Sequence, residues 1–240
     1  MIRFYCPDIE KSQVLPESDS QHCARVLRMK PGTEIEVVDG LGNLFHCRLL
    51  TAHPHHCEVE ILKRTPMPKS WACEITVAVA PTKHNDRMEW LTEKLVETGV
   101  DRIITVRCRR SERKDIKTER LEKIAVSAMK QSLKALLPEI PEITSFEKFV
   151  EDCSQKPDCV RKFIAYCDDT IERKLLAKEY QPGQDAIILI GPEGDFSTEE
   201  IQSALKAGFE PVSLGDNRLR TETAALMAAN TCHIINQRYL

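Results

Sequence analysis

The chain has 240 residues, 42% of them hydrophobic, enough to bury one sizeable core or a core with a small satellite domain. With 34 Lys and Arg against 37 Asp and Glu, its formal charge of −3 argues against a generic polyanion binder. The ten cysteines lack any Cys-x-x-Cys spacing, and no apolar run approaches the roughly 20 residues that span a bilayer, which excludes a zinc ribbon and a membrane helix.

In chain order, the opening segment shows no apolar signal region, so the protein is expected to be cytoplasmic, with its cysteines reduced and mostly buried. Residues 1–68 predict a small β-barrel or sandwich. Residues 34–38 alternate apolar and polar, Asp39-Gly40 and Gly42-Asn43 are turn signals, and 44–50 and 57–62 read as further strands. Before them, His22, Arg25 and Arg28 are spaced to share one side of a helical turn. His53, His55 and His56 lie near Cys47 and Cys57 but match no standard ligand spacing, and no metal is predicted. Two prolines within 65–70 mark a stiff linker, with a boundary near Pro68 and a second domain over 72–240.

From there strands and helices alternate: strand 74–80, helix 86–98 closed by Gly99, strand 102–107, helix 117–136, then strands 162–167, 186–190 and 212–214. Alternation of this kind predicts an α/β domain with a parallel sheet flanked by helices. Between 102 and 134 eleven basic residues face four acidic ones, a basic face hidden by the net charge. Its densest part, 107–114, is able to track a phosphate backbone together with Lys130 and Lys134.

Two segments carry the chemistry. Strand 186–190 leads into Gly191-Pro192-Glu193-Gly194 and then Ser197-x-x-Glu200, a capping-box signature. Strand 212–214 leads through Gly215 and the charged trio Arg218, Arg220 and Glu222 into a helix over 221–237 that is apolar on every side and therefore expected to be buried all round. Glycine permits close backbone approach to a ligand, and loops at strand carboxyl ends are where open α/β sheets bind. The first segment lacks the Lys-Ser/Thr of a P-loop and the third glycine of a dinucleotide fingerprint, leaving an adenosine-type ligand held by backbone groups. Arginines beside the buried helix suit stabilisation of charge on a substrate carbonyl.

These segments together resemble the bacterial 16S ribosomal RNA uracil-N3 methyltransferase family, within the SPOUT class of knotted S-adenosylmethionine enzymes. The same order includes His22 to Arg28 with Pro31-Gly32, Asp86-Arg87-Met88-Glu89, the segment 94–103, Ser111-Glu112-Arg113 and Gln131-Ser132. The resemblance implies a PUA-like RNA-binding barrel and a C-terminal trefoil-knot domain that dimerises. It implies S-adenosylmethionine bound by Leu189, Ile190, Gly191, Pro192, Glu193, Gly194, Leu214, Gly215, Leu219, Thr223 and Ala224. It implies 16S rRNA in the assembled small subunit as substrate, held by Arg3, His22, Arg25, Arg28, Lys83, Arg110, Arg113 and Lys134, with Arg220 and Glu222 as the catalytic pair. The sequence departs from the family at four places: Asp195 stands for a second glycine, Asn217-Arg218 for an Arg-Ile pair, Lys130-Gln131 for Glu-Gln, and Leu133-Lys134 near Gly-x-Arg-like residues. Other readings of the same residues are a knotted 2′-O-ribose methyltransferase and a non-catalytic ribosome-assembly factor.

Overall fold

The computed structural model describes residues 2–167 and 172–238; Met1 and 239–240, the outer limits of the two expected domains, lie outside the described residues. The chain divides into two compact units. The first runs to Lys69 and also takes in Val126–Leu137; the second comprises Ser70–Ala125 and the chain from Pro138 onward.

The first unit holds strands β1 (Arg3–Tyr5), β2 (Val14–Leu15), β3 (Glu34–Val38), β4 (Asn43–Leu49) and β5 (Cys57–Pro66), with short helices α1 (Ile9–Ser12) and α2 (Glu17–Gln21). They form a barrel-like five-stranded sheet in the order β1-β3-β4-β5-β2 around Phe4, Val37, Phe45, Leu49 and Val59. Alternation in β3 predicts one wet face, yet Ile35 to Val38 are all buried. The returning segment 126–137 meets the turn that follows β3. Gly42 donates its N–H to the Ala135 carbonyl at 2.9 Å, and a Cβ on Gly42 would stand 3.3 Å from Leu136. The expected linker starts late, because β5 runs through Thr65 and Pro66 before the chain leaves the barrel.

The second unit holds β6 (Ile75–Val79), α3 (Asn85–Thr98), β7 (Arg102–Arg107), the helix α4 (Thr118–Gln131) whose last residues enter the first unit, β8 (Thr144–Ser145), α5 (Phe146–Ser154), β9 (Arg161–Ala165), β10 (Lys174–Leu175), α6 (Leu176–Glu179), β11 (Ala186–Ile190), α7 (Thr198–Lys206), β12 (Glu210–Ser213) and α8 (Thr221–Gln237). Seven parallel strands follow the order β10-β12-β9-β11-β6-β7-β8. Every residue of β6 and β11 is buried, as a parallel sheet covered on both faces requires. Phe146, Phe149 and Val150 of α5 and Ile201 and Ala204 of α7 pack with Ile187, Leu189 and Phe209. α8 packs against α3, β6 and β11.

The α/β domain with a small N-terminal barrel is thus the fold expected. Three differences from the sequence reading concern element limits and burial. The helix expected over 117–136 stops at Gln131, since Leu133 adopts φ 56°, outside the helical region. The strands expected at 162–167 and 212–214 begin earlier, at Arg161 and Glu210. Third, α8 is not buried all round: Ala225, Ala228, Ala229 and Cys232 face inward, while Met227 and Ile234 are 45% and 49% exposed. Small alanines let this helix sit close to the sheet, and the bulky apolar residues are left on the far side.

Candidate active site

The parallel strands all finish at the same edge, and their exit loops build the site there. Strand β11 ends at Ile190 and the chain turns through Gly191, where a Cβ would meet the Phe196 ring at 2.9 Å, so only glycine allows that ring to close the loop. The turn then enters α7 through a complete capping box: Ser197 accepts from the Glu200 N–H and Glu200 accepts from the Ser197 N–H. Strand β12 ends in Leu214 and Gly215, at φ 117°, before the chain reaches α8. Thr221, in the first turn of α8, donates its hydroxyl to the Gly191 carbonyl at 3.1 Å and so ties the second loop to the first.

Between these loops lies a cavity of about 360 Å³, a volume within the usual range for small-ligand sites. Its walls include Ile190, Gly191, Pro192, Glu193, Leu214, Gly215, Leu219, Arg220 and Ala224. Arg220 is exposed at its edge. Leu189, Gly194 and Thr223 do not line it: Leu189 is fully buried in the sheet, the main chain at Gly194 faces Arg110, and Thr223 is exposed on α8. The two loops leave strands that are not adjacent: β9 lies between β11 and β12. Sequence reasoning therefore missed the residues at the end of β9, Ala165, Tyr166 and Cys167, and also Arg173, all of which line the cavity. The usable signal was that any strand ending at this edge contributes to the floor.

Asp195 sits at φ 63°, a left-handed backbone that glycine adopts most readily. Aspartate holds the left-handed turn by bonding locally. Its carboxylate accepts from the Phe196 N–H at 2.8 Å and from the Cys167 N–H at 2.9 Å, which binds the exits of β11 and β9 together.

Glu222 is placed differently from Arg220. It does not line the cavity but is buried facing α3, where its Oε1 stands 3.7 Å from Nε of Arg87. Its Oε2 is buried without a hydrogen-bond partner. An open carboxylate oxygen at such a depth is costly. Arg87 was recognised in the sequence only as part of a motif, with no role.

The basic segment 107–114 is not a row of cations awaiting a polyanion. Arg107 pairs with Asp115 at 3.5 Å, Arg109 with Glu199 at 3.1 Å and Lys83 with Glu112 at 2.9 Å. Arg110 donates to the carbonyls of Gly194 and Phe196, both at 3.1 Å, and Arg113 donates to the Lys83 carbonyl at 3.1 Å. Lys130 and Lys134 belong to the first unit. Lys130 pairs with the buried Asp19 at 2.7 Å, and desolvation pushes the Lys134 ammonium below its ordinary pKa. Arg3 is likewise enclosed, pairing with Glu36 at 2.9 Å and donating to the Leu133 carbonyl.

His22, Arg25 and Arg28 are exposed. Their turn is a π-helix, closed by the Leu27 N–H on the His22 carbonyl at 2.9 Å, and Arg28 sits at φ 50°. The i, i+3 alignment expected of an α-helical turn therefore does not hold. His55 and His56 each contact a glutamate, Glu17 and Glu58. Burial pushes the thiols of Cys6 and Cys153 up to about 11 and those of Cys47 and Cys232 up to about 12, so these four are not nucleophiles at neutral pH.

Comparison with known proteins adds to this geometry. Residues 69–233 match a family model described as an RNA methyltransferase domain, and residues 15–62 match one described as an RNA methyltransferase PUA domain. The crystal structure of a "probable rRNA-methyltransferase" from Porphyromonas gingivalis is 46% identical over the whole of both chains, with a TM-score of 0.93. That of ribosomal RNA small subunit methyltransferase E from Neisseria gonorrhoeae, bound to S-adenosylmethionine, is 30% identical over 98% of each chain, with a TM-score of 0.84. The protein of that name from Mycobacterium bovis is 26% identical over 97% of this chain and 90% of its own length.

Proposed function

Because the chain belongs to the RNA methyltransferase family, whose members include ribosomal RNA small subunit methyltransferase E, we propose that it methylates N3 of a specific uracil in the 16S RNA of the small ribosomal subunit, with S-adenosylmethionine as donor. One observation carries the proposal: two glycine-anchored loops, joined through Thr221 and Gly191, enclose a ligand-sized cavity with Arg220 at its edge. The lining fits the donor chemically. Ile190, Val212, Leu214, Leu219 and Ala224 offer apolar contact to a purine, Gly191 and Gly215 leave main-chain groups accessible, and Glu193 and Asp195 are anions beside which a sulfonium and an ammonium are favoured. When bound, the cofactor supplies an electrophilic methyl group.

The protein must do the rest. N3 of uracil is protonated at neutral pH, so it attacks only after losing that proton, and the charge left on the neighbouring carbonyls needs a cation. Arg220 supplies that cation. Glu222, held by Arg87 at 3.7 Å, orients the site or relays the proton. N3 lies on the pairing edge, so the target uridine is unpaired or splayed when it enters. The exposed His22, Arg25 and Arg28 contact flanking RNA from the barrel, and the assembled subunit in the cytoplasm is the substrate. The outward stripe of α8 that carries Met227 and Ile234 is where a second copy docks to form a homodimer.

Replacement of Arg220 by alanine tests the assignment. Methyl transfer to small subunits should fall by about 10²-fold or more, the scale for a lost oxyanion donor, while cofactor affinity measured by calorimetry changes little. Transfer at the wild-type rate would remove Arg220 from the chemistry.

A further inference from the structure

The contacts of Arg110 point to a task other than binding phosphate. Its guanidinium reaches across to the loop between β11 and α7 and donates to the carbonyls of Gly194 and Phe196, each at 3.1 Å. The two chains lie in contact here, since a Cβ at Gly194 would stand 3.5 Å from Cβ of Arg110. The residues of this loop split into two sets. Gly191, Pro192, Glu193 and Asp195 line the cavity, whereas Gly194 and Phe196, the two that Arg110 holds, do not. Arg110 therefore grips the outer side of a loop whose inner side forms the wall.

The arginine is itself held in place. Cys108 and Ser111 close a tight turn around it, the Ser111 N–H bonding the Cys108 carbonyl at 3.1 Å and the Ser111 hydroxyl accepting from the Cys108 N–H at 3.1 Å. Next to it the Arg109 N–H donates to Glu200 at 2.7 Å, the same carboxylate that completes the capping box of α7. The loop has further anchors, Glu193 on the Lys83 N–H at 3.0 Å, Asp195 on the Cys167 N–H and Thr221 on the Gly191 carbonyl. Arg110 differs from these in holding two main-chain carbonyls of the loop at once, both from its terminal Nη1.

We infer that Arg110 is a positioning residue of the methyl-donor pocket: it fixes the Gly191-to-Phe196 loop from outside in the shape that binds S-adenosylmethionine. The inference rests on the reading of the cavity as the donor site. It assigns to the cofactor a side chain that its basic neighbourhood suggests for RNA.

The two roles separate under charge-conserving substitution. Arg110→Lys keeps the charge that a phosphate needs but loses the reach and planar geometry with which Nη1 meets both carbonyls; Arg110→Ala loses charge and contacts alike. Calorimetry with S-adenosylmethionine on the full-length protein should show binding weakened about tenfold in Arg110→Ala and several-fold in Arg110→Lys, of the order expected for charge-assisted hydrogen bonds. The salt dependence of binding to an oligouridylate RNA should keep its slope in both variants. Should Arg110→Ala fail to fold, Arg110→Lys with its thermal midpoint checked carries the test by itself. Wild-type affinity for the cofactor in the variants, or a lysine variant that is normal while the alanine variant lowers the salt slope by about one, overturns the inference in favour of a phosphate contact. Wild-type protein that does not bind the cofactor overturns instead the reading of the cavity.

Discussion

At Asp195 two effects oppose each other. The left-handed backbone at φ 63° disfavours a side chain, yet that side chain accepts two main-chain hydrogen bonds, from Phe196 and Cys167. Aspartate tolerates this region better than most residues, at a cost near 1 kcal/mol, and each bond contributes roughly 1 kcal/mol. Glycine would also add freedom to the unfolded chain. The bonds win: Asp195→Gly should lower stability by about 1 kcal/mol in urea denaturation, and a more stable variant would show that strain dominates. Residues of this kind explain what was legible in the sequence. Gly191 and Gly215 could be read because glycine requirements are local, and Arg220 because it stands immediately before a distinctive helix. The bonds of Asp195, the pairing of Arg87 with Glu222 and the grip of Arg110 join residues tens of positions apart, and no local pattern encodes them.

Elements with a local stop signal were placed well. Gly99, at φ 97°, ends α3, and Ser197 with Glu200 starts α7 as the capping box implies. Where the stop lay in geometry instead of residue type, the reading overran: nothing in Leu133 announces φ 56°, so α4 was carried past Gln131. The missed α5 was legible, since Phe146, Phe149, Val150 and Cys153 follow helical spacing after the Ser145 cap. The cap of α7 provides a graded test. Ser197→Ala removes one capping bond and should cost about 1 kcal/mol of stability. Glu200→Ala loses the reciprocal bond to Ser197 and also the bond from Arg109, and should cost more, about 2 kcal/mol. Equal midpoint shifts in denaturation would mean that the Arg109 bond contributes nothing to stability.

The molecule combines a barrel that recruits part of the later chain with a parallel α/β unit that builds the site. That Val126–Leu137 would return to the barrel could not be read from the sequence, because its apolar residues fit a helix in either unit. The outward stripe of α8 acts at the same scale. With Met227 and Ile234 both about half exposed, the proposed dimer places apolar surface on apolar surface, and Met227→Glu with Ile234→Glu should give monomers in sedimentation at concentrations where the wild type is dimeric. The central claim is the atom that receives the methyl group, and nucleoside mass spectrometry of the product addresses it most directly. Small subunits from cells lacking this protein, incubated with it and isotope-labelled S-adenosylmethionine, should yield labelled N3-methyluridine at one position of 16S RNA. Label recovered as a 2′-O-methyl nucleoside, or no label from protein that binds the cofactor, would contradict the account.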